Sequence, residues 1–260
     1  MKRETLIVGY GKTGKNLEEE IRTLNPDIAD VYFTGHFKEK KYIKYDLIFI
    51  CVDTVFIDRK NPCDLSDIYN VVEEYTPYLK EDGIFVLKST ILPGTVDGLK
   101  SKYNLKFVFS PMYRGATIHC NNYEYNFTII GGEKEDCIKV QQIILPCYDG
   151  RHTFHLTNSK TAELVKYMEN CYLATKVSFC GQFYNIAVEN GVNYEELREL
   201  FILDPRVESS HTIVYPDHPY WNSHCLNKDT AALEAAEDAP LLRAIIDFNN
   251  DQIDKYGTED

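Results

Sequence analysis

Short apolar runs alternate with helical segments over the first 157 residues, and this alternation restricts the fold more than any other feature of the sequence. The run 46–52 is apolar at every position after Asp46, which is typical of a strand buried on both faces of a parallel sheet. Strands that alternate with helices predict a doubly wound parallel α/β sheet of the Rossmann type. The predicted strands are 4–8, 30–35, 46–52, 83–89, 106–110, 126–132 and 151–156.

The rest of the chain shows only helical patterns. The predicted helices there are 159–190, 194–202, 226–236 and 239–256. We therefore predict two domains. Residues 1–157 form a Rossmann-like domain, and residues 158–260 form an all-helical domain built on one long helix.

The long helical segment 158–190 contains no proline and is followed by Gly191, which suits the left-handed position after a helix end. Its apolar residues spread around most of the circumference, which is typical of a helix inside a core or a subunit interface. Lys166 and Asn170 are four positions apart and therefore share one face. A lysine in such surroundings is costly unless it is paired or used in function.

Composition excludes several classes of protein. A formal net charge of −12 argues against general binding to nucleic acid or to anionic membranes, which requires a basic face. The eight cysteines form no CxxC pair and fall mostly in apolar segments, which indicates buried thiols in a reducing compartment. The N-terminus lacks the apolar run of a signal peptide, and no stretch approaches the ~20 apolar residues of a membrane span. We therefore expect a cytoplasmic protein.

A glycine-rich turn follows the first predicted strand and opens a helix. Gly9 allows the tight turn, Gly11 lets the backbone approach a pyrophosphate, and Gly14 allows close packing of helix on strand. Lys12 and Thr13 stand at the N-terminus of that helix, where N–H groups favour a phosphate. The turn predicts a dinucleotide-binding site.

The residues after the second predicted strand bear on the choice of dinucleotide. The acidic residue usually found about 20 positions after the glycine turn is predicted to be missing, because the strand ends at Thr34 and is followed by His36 and Lys38. Thr34 would accept a hydrogen bond from a ribose only weakly, and the two basic side chains tolerate a 2′-phosphate. NAD is the expected cofactor, and NADP is not excluded.

Eight short motifs are spread along nearly the whole chain. They are CVDT at 51–54, DLS at 64–66, KSTILPGT at 88–95, SPMYR at 110–114, IIGG at 129–132, AELVKYMEN at 162–170, CLNKD at 225–229, and APLL at 239–242 with NN at 249–250. In their order and spacing they resemble the UDP-glucose/GDP-mannose dehydrogenase family. KSTILPGT and CLNKD are the most specific of these motifs.

The resemblance implies a chemistry. Enzymes of this family use two NAD molecules in turn to oxidise a sugar C6 alcohol to a carboxylate, through a cysteine thiohemiacetal and then a thioester. The nucleophile would be Cys225. Lys166 and Asn170 would hold the reacting oxygen, Asp229 would position Lys166 or a water, and Thr90 would lie close to both cofactor and substrate.

The same resemblance implies further cofactor contacts. Val52, Thr54 and Ser89 would line the cofactor, and Lys228 would lie near its phosphates. General chemistry agrees with the catalytic assignments, because an ammonium favours the thiolate of a neighbouring cysteine and stabilises the oxyanion of a tetrahedral intermediate.

Three departures from the family pattern separate this chain from its relatives. Met112 stands where the family has a glutamate that assists thioester hydrolysis. The glycine-rich loop before the cysteine is replaced by 215–224, in which Tyr220 and Trp221 offer either an aromatic wall to a substrate or a plug of the pocket. The second α/β domain that holds the substrate's nucleotide is expected to be missing or supplied by a partner. His218 and His224 match no zinc pattern, so we predict no metal site.

Three functions remain open at this point. The first is a nucleotide-sugar-dehydrogenase-like oxidoreductase that acts on a sugar-like alcohol or aldehyde through Cys225. The second is a simple two-electron dehydrogenase of the β-hydroxyacid type, which needs Lys166 but no cysteine. The third is a catalytically silent dinucleotide-binding regulatory protein. The resemblance also implies a homodimer through helix 158–190, because the equivalent helix forms the dimer core in the family.

Overall fold

The computed structural model describes residues 4–30, 43–114 and 124–257. The chain divides into two compact units. The first comprises Met1–Val55 and Cys63–Lys166, and the second comprises Phe56–Pro62 and Tyr167–Asp260. The division falls within the long helix, whereas the domain boundary predicted from the sequence lies at residue 157.

The first unit is built on one sheet. Among the described residues this sheet has seven strands, in the order β2-β1-β3-β4-β5-β6-β7. The strands are β1 Thr5–Val8, β2 Asp27–Ala29, β3 Tyr45–Ile50, β4 Leu79–Leu87, β5 Phe107–Phe109, β6 Phe127–Gly131 and β7 Thr153–Thr157. Neighbouring strands pair in parallel except β5 and β6, which are antiparallel with Phe109 opposite Gly131. The predicted fold class is confirmed.

The antiparallel pair corrects one detail of the prediction of a parallel sheet. A parallel neighbour requires a crossover, usually through a helix on one face of the sheet. The described residues between β5 and β6, namely 110–114 and 124–126, contain no helix. Strand β6 runs opposite to β5, and β7 pairs in parallel with β6.

Helices cover both faces of this sheet and enclose two apolar cores. The helices of the first unit are α1 Lys12–Glu20, α2 Ser66–Tyr75, α3 Thr95–Tyr103 and α4 Lys134–Ile144. Strand β3 is buried along its whole length, as its continuous apolar run predicts. Ile48 and Ile50 belong to the core on one face, whereas Leu47 and Phe49 belong to the core on the other.

Helices make up all the regular structure of the second unit among the described residues, as predicted. The helices are α5 Ser159–Glu189, which begins in the first unit, and α6 Tyr194–Phe201, α7 His224–Ala236 and α8 Pro240–Tyr256. The side chain of Asn158 accepts a hydrogen bond from the N–H of Thr161 (2.8 Å), and Gly191 has φ of 68° beyond the end of α5. No helix in the described part of the chain is long and apolar enough to cross a membrane.

The core of the second unit is small and contains Ala174, Trp221 and Ile245. Helix α5 also leaves large apolar side chains exposed. These are Leu164, Met168, Tyr172, Phe179, Phe183, Ile186 and Val188. Such a stripe on one helix is typical of a surface that another protein covers.

Candidate active site

The glycine turn joins the end of β1 to the start of α1. Gly9 has φ of +91°, and a Cβ at this position would lie 2.6 Å from the carbonyl oxygen of Cys51. Gly14 lies in α1, where a Cβ would lie 2.1 Å from the carbonyl oxygen of Gly9. No described atom lies within 4 Å of a Cβ built on Gly11, which is the N-cap residue of α1. The turn therefore presents open backbone to a phosphate group at the first helical residues, Lys12 and Thr13.

An acidic residue lies beside this turn, so the prediction that it is missing was wrong. Strand β2 ends at Ala29, earlier than predicted, and the next residue is Asp30. The N–H of Tyr10 donates to Asp30 Oδ2 (2.6 Å), and the two residues are 20 positions apart. An acidic side chain at this place accepts hydrogen bonds from the ribose hydroxyls of NAD. Thr34, on which the earlier interpretation depended, lies outside the described residues, as do the nearby His36 and Lys38.

The ends of β3 and β4 bring together four residues that were predicted to contact the cofactor. Thr54 Oγ1 donates to the carbonyl oxygen of Thr90 (2.7 Å), and Ser89 Oγ donates to that of Val52 (2.5 Å). The side chains of Thr54 and Ser89 are buried. Because ligands of open parallel sheets bind at the carboxyl ends of the strands, this cluster lies at the edge where a dinucleotide binds.

Lys166 lies on α5 at the end of the first unit and is buried, with its Nζ 4.9 Å from the centre of the Tyr113 ring. One turn earlier, the fully buried carboxylate of Glu163 accepts hydrogen bonds from the N–H groups of Gly94 (2.6 Å) and Val96 (2.9 Å). Glu163 thereby caps the start of α3 from another helix and ties α5 to the KSTILPGT segment. Nothing in the sequence around Glu163 indicates this role, because its partners lie 67 and 69 positions away in the chain.

A second buried lysine was also missed. Lys88 Nζ donates to Ser110 Oγ (3.2 Å) inside the first unit. Burial lowers the pKa of the Lys88 ammonium, and the Glu20 carboxylate opposes this shift. Burial likewise raises the pKa of the Glu20 carboxyl, against the influence of Lys88. The two groups offset part of each other's desolvation, which an isolated buried charge could not do.

Lys88 and Glu20 line a cleft of about 390 Å³ in the first unit. Met112 lines the same cleft and packs against one of the apolar cores of this unit. A thioether takes up no proton at ordinary pH, so Met112 cannot replace the family's glutamate as a base.

The second unit brings Asn170, Lys228 and Asp229 together. Asn170 Nδ2 donates to Asp229 Oδ2 (2.5 Å), and Lys228 Nζ donates to Asp229 Oδ1 (2.5 Å). Asn170 and Asp229 are buried, so both oxygens of the buried carboxylate have a donor. The predicted contact between Lys228 and the cofactor phosphates stays a prediction.

Cys225 is the second residue of α7 and is exposed, whereas the other described cysteines are buried or half-buried. Ser223 is the N-cap residue of this helix, and its side chain accepts a hydrogen bond from the N–H of Leu226 (3.2 Å). Asp229 follows Cys225 by one helical turn, so the two residues share a face of α7. The N-terminus of a helix favours negative charge, which suits a thiolate.

The loop before Cys225 does not form the aromatic wall that was one of its two interpretations. Trp221 is 6% exposed and belongs to the core of the second unit. His218 and His224 are exposed. Within 4–30, 43–114 and 124–257, no group of three His, Cys, Asp or Glu side chains is arranged to hold a metal ion.

An open, mostly parallel sheet with a glycine turn after β1 and an acidic residue after β2 is the dinucleotide-binding arrangement of the Rossmann class. Comparison with known proteins then defines the family.

The chain belongs to the UDP-glucose/GDP-mannose dehydrogenase family, as the motifs predicted. Residues 17–146 match the family's NAD binding domain, and residues 160–251 match its central domain. The first of these matches identifies NAD as the cofactor, which confirms the prediction.

Three known proteins illustrate the similarity. The chain is 30% identical over 251 residues to the UDP-N-acetyl-D-mannosamine dehydrogenase of Methanocaldococcus jannaschii, covering 91% of this chain and 55% of that relative. A UDP-glucose dehydrogenase from Pyrobaculum islandicum shares the fold with a TM-score of 0.79 and 20% identity, covering 96% of this chain and 68% of that one. A 3-hydroxyisobutyrate dehydrogenase from Mycobacterium tuberculosis shares the fold with a TM-score of 0.69 and 13% identity, covering 100% of this chain and 97% of that one.

Proposed function

We propose that the protein is an NAD-dependent dehydrogenase that oxidises a sugar-like alcohol or aldehyde, of the nucleotide-sugar class, with Cys225 as its nucleophile. The observation that carries this proposal is the arrangement on α7. An exposed cysteine stands in the first turn, and one turn later the buried Asp229 is held by Asn170 and Lys228. A buried carboxylate with two donors is costly to assemble and is typical of a functional site.

The cofactor part of the proposal is supported by the glycine turn and by Asp30. Gly9 and Gly14 are needed for the turn itself, and Gly11 leaves room for the pyrophosphate. Asp30 favours NAD over NADP, because a carboxylate repels a 2′-phosphate. NAD, when bound, supplies the hydride acceptor for the oxidation.

The chain's own residues would carry the remaining chemistry. The Cys225 thiolate would add to the aldehyde carbon of the substrate. Loss of a hydride from this adduct, which NAD would accept when bound, would leave the acyl group as a thioester, and water would then release the acid and free the thiol. Lys166 and Asn170 stabilise the oxygen that becomes negatively charged when the thiolate adds. Asp229 positions Asn170 through their hydrogen bond.

The substrate class and the partner are further parts of the proposal. The named activity of the M. jannaschii relative supports a nucleotide sugar, and this chain spans only 55% of that relative. The exposed apolar side chains of α5 support a homodimer, because a second copy would cover them. In that dimer Phe179 and Phe183, whose ring centres are 4.7 Å apart, would lie at the interface.

One specific observation favours a two-electron reaction instead. Met112 stands where the family has a glutamate that assists thioester hydrolysis, and a thioether cannot act as a base. In this second candidate Lys166 acts on the substrate hydroxyl and Cys225 has no role. The product is then an aldehyde or ketone.

Product stoichiometry tests the proposal. The protein is incubated with NAD and either UDP-N-acetyl-D-mannosamine or UDP-glucose, and NADH and carboxylate are measured. We expect two NADH per carboxylate, no carboxylate from Cys225→Ala, and normal turnover from the control Cys147→Ala, which removes a half-buried thiol of the first unit.

Other outcomes separate the alternatives. Full acid formation by Cys225→Ala would show that the mechanism is not covalent. One NADH per substrate, lost in Lys166→Ala but kept in Cys225→Ala, would support the two-electron reaction. Tight NAD binding without turnover of either sugar would support the regulatory function.

A further inference from the structure

The segment that leads into α7 carries one deeply buried aromatic side chain between exposed residues. It begins with an exposed turn, in which the N–H of His218 donates to the carbonyl oxygen of Tyr215 (2.9 Å). It ends at Asn222, which is exposed, and at Ser223, the N-cap residue of α7. Between these ends Pro219 is buried, Tyr220 is half-buried and Trp221 is 6% exposed, so Trp221 is the aromatic anchor of the segment to the body of the second unit.

Three hydrogen bonds hold Trp221. Its N–H donates to Asn249 Oδ1 (2.9 Å), and its carbonyl oxygen accepts from Asn249 Nδ2 (2.9 Å). Its indole Nε1–H donates to Ser178 Oγ (2.9 Å). Both partners are buried and lie on helices, Ser178 on α5 and Asn249 on α8. Every polar group of Trp221 is therefore paired with a side chain on a rigid element.

A glycine on α5 lets the segment come this close. A Cβ built on Gly181 would lie 2.5 Å from the carbonyl oxygen of Pro219. Gly181 follows Ser178 by three positions, so both face the segment from one side of α5. Glycine within a helix is destabilising relative to alanine. Its presence here is explained by the contact with Pro219.

The anchor lies two residues before the N-cap of the helix that carries Cys225. The helix N-terminus stabilises a thiolate through the N–H groups of its first turn, and this influence falls off within that turn. The effect on Cys225 therefore depends on how well the first turn is fixed, and Trp221 is the nearest preceding residue with its backbone bonded to another helix.

We propose that Trp221 is a positioning residue, which, with Ser178, Gly181 and Asn249, fixes the first turn of α7 and thereby sets the reactivity of Cys225. The proposal deepens the proposed function, on which it rests for the catalytic meaning of Cys225. In this chain the anchor takes the place of the glycine-rich loop that precedes the cysteine in the family.

The test is the rate at which iodoacetamide alkylates Cys225 in the full chain, followed by peptide mass spectrometry as a function of pH. Neither substrate nor cofactor is needed, so the result is independent of whether the protein turns over. Trp221→Phe removes the indole donor and keeps most of the ring, and Ser178→Ala removes its acceptor. Loss of one buried hydrogen bond changes an equilibrium by about 2–10-fold.

We expect either substitution to slow alkylation at neutral pH by about 2–10-fold and to move the rate–pH profile to higher pH. The double variant should be no slower than the slower single variant, because both remove the same bond. The charged and titratable groups near Cys225 on α7 are His224, Lys228 and Asp229, and none of them is changed.

The control is Tyr220→Phe, which removes a hydroxyl from the adjacent residue and leaves the hydrogen bonds of Trp221 in place. It should react like the wild type. Gly181→Ala is a second probe of the same anchor and should slow alkylation too. Circular dichroism establishes that each variant is folded. Folded Trp221→Phe and Ser178→Ala proteins with the wild-type rate and profile, or with faster alkylation, would overturn the proposal.

Discussion

Two glycines inside helices of the first unit provide a matched pair for testing the glycine turn. Gly14 lies in α1, where an added Cβ would lie 2.1 Å from the carbonyl oxygen of Gly9 and 3.5 Å from Ile7 Cγ2. Gly98 lies in α3, where an added Cβ would meet nothing within 4 Å. Gly14→Ala and Gly98→Ala therefore make the same chemical change, with and without a steric conflict.

The expected effects have opposite signs. Alanine is better than glycine in a helix by about 1 kcal/mol, so Gly98→Ala should raise the free energy of unfolding by up to about that amount. In Gly14→Ala the same gain is opposed by a clash with backbone that cannot rotate away. Overpacking of this kind costs about 1–3 kcal/mol or more. Because the helix gain is common to both variants, their free energies of unfolding should differ by the cost of the clash, about 1–3 kcal/mol or more.

Urea unfolding followed by circular dichroism measures this difference, and isothermal titration calorimetry measures NAD binding. Gly14→Ala should be less stable than wild type and should bind NAD more weakly, because its Cβ pushes on the turn that holds the pyrophosphate. Gly98→Ala should bind NAD normally. If Gly14→Ala were as stable as Gly98→Ala and bound NAD equally tightly, the close approach of α1 to the turn would constrain neither stability nor NAD binding.

Two further predictions concern helix α5. Burial raises the pKa of the Glu163 carboxyl, against the influence of its two backbone donors, so the folded state binds this proton more tightly than the unfolded chain. The contribution of Glu163 to stability is therefore greatest below about pH 4.3 and falls as pH rises through the raised pKa. The destabilisation caused by Glu163→Gln, measured by urea unfolding, should shrink from pH 5 to pH 8, and a constant difference would contradict this. Phe183→Asp should turn the proposed dimer into a monomer in sedimentation velocity. The control Gln182→Asp, at an exposed neighbouring residue, should leave the dimer intact. A wild-type protein that is monomeric at micromolar concentration would refute the interface.

The sequence predicted the order and type of nearly every described element. Period-2 and period-3.6 patterns, glycines and prolines are local signals, and they were sufficient to locate α5 to within one residue at its C-terminal end and the glycine turn in full. The motifs also led to the correct family, because a family is defined by the residues themselves.

The second strand shows where local signals fail. The segment 30–35 has a stronger strand pattern than β2, which has only three residues and begins with Asp27. Asp27–Ala29 pairs with β1, and this places Asp30 beside Tyr10. The acidic residue was present in the sequence, but only the register of the sheet shows that it lies next to the glycine turn.

The tertiary structure alone decided how the buried polar groups are paired. Glu163 with the start of α3 and Trp221 with Ser178 and Asn249 are contacts between residues 28 to 69 positions apart. No local pattern encodes such pairs, because a buried donor needs an acceptor only where folding brings the two together. Local patterns and motifs were sufficient to predict the fold class, the family and the candidate nucleophile. Tertiary packing decided that Trp221 is a core anchor and not a wall, since that depends on which surface the aromatic ring meets.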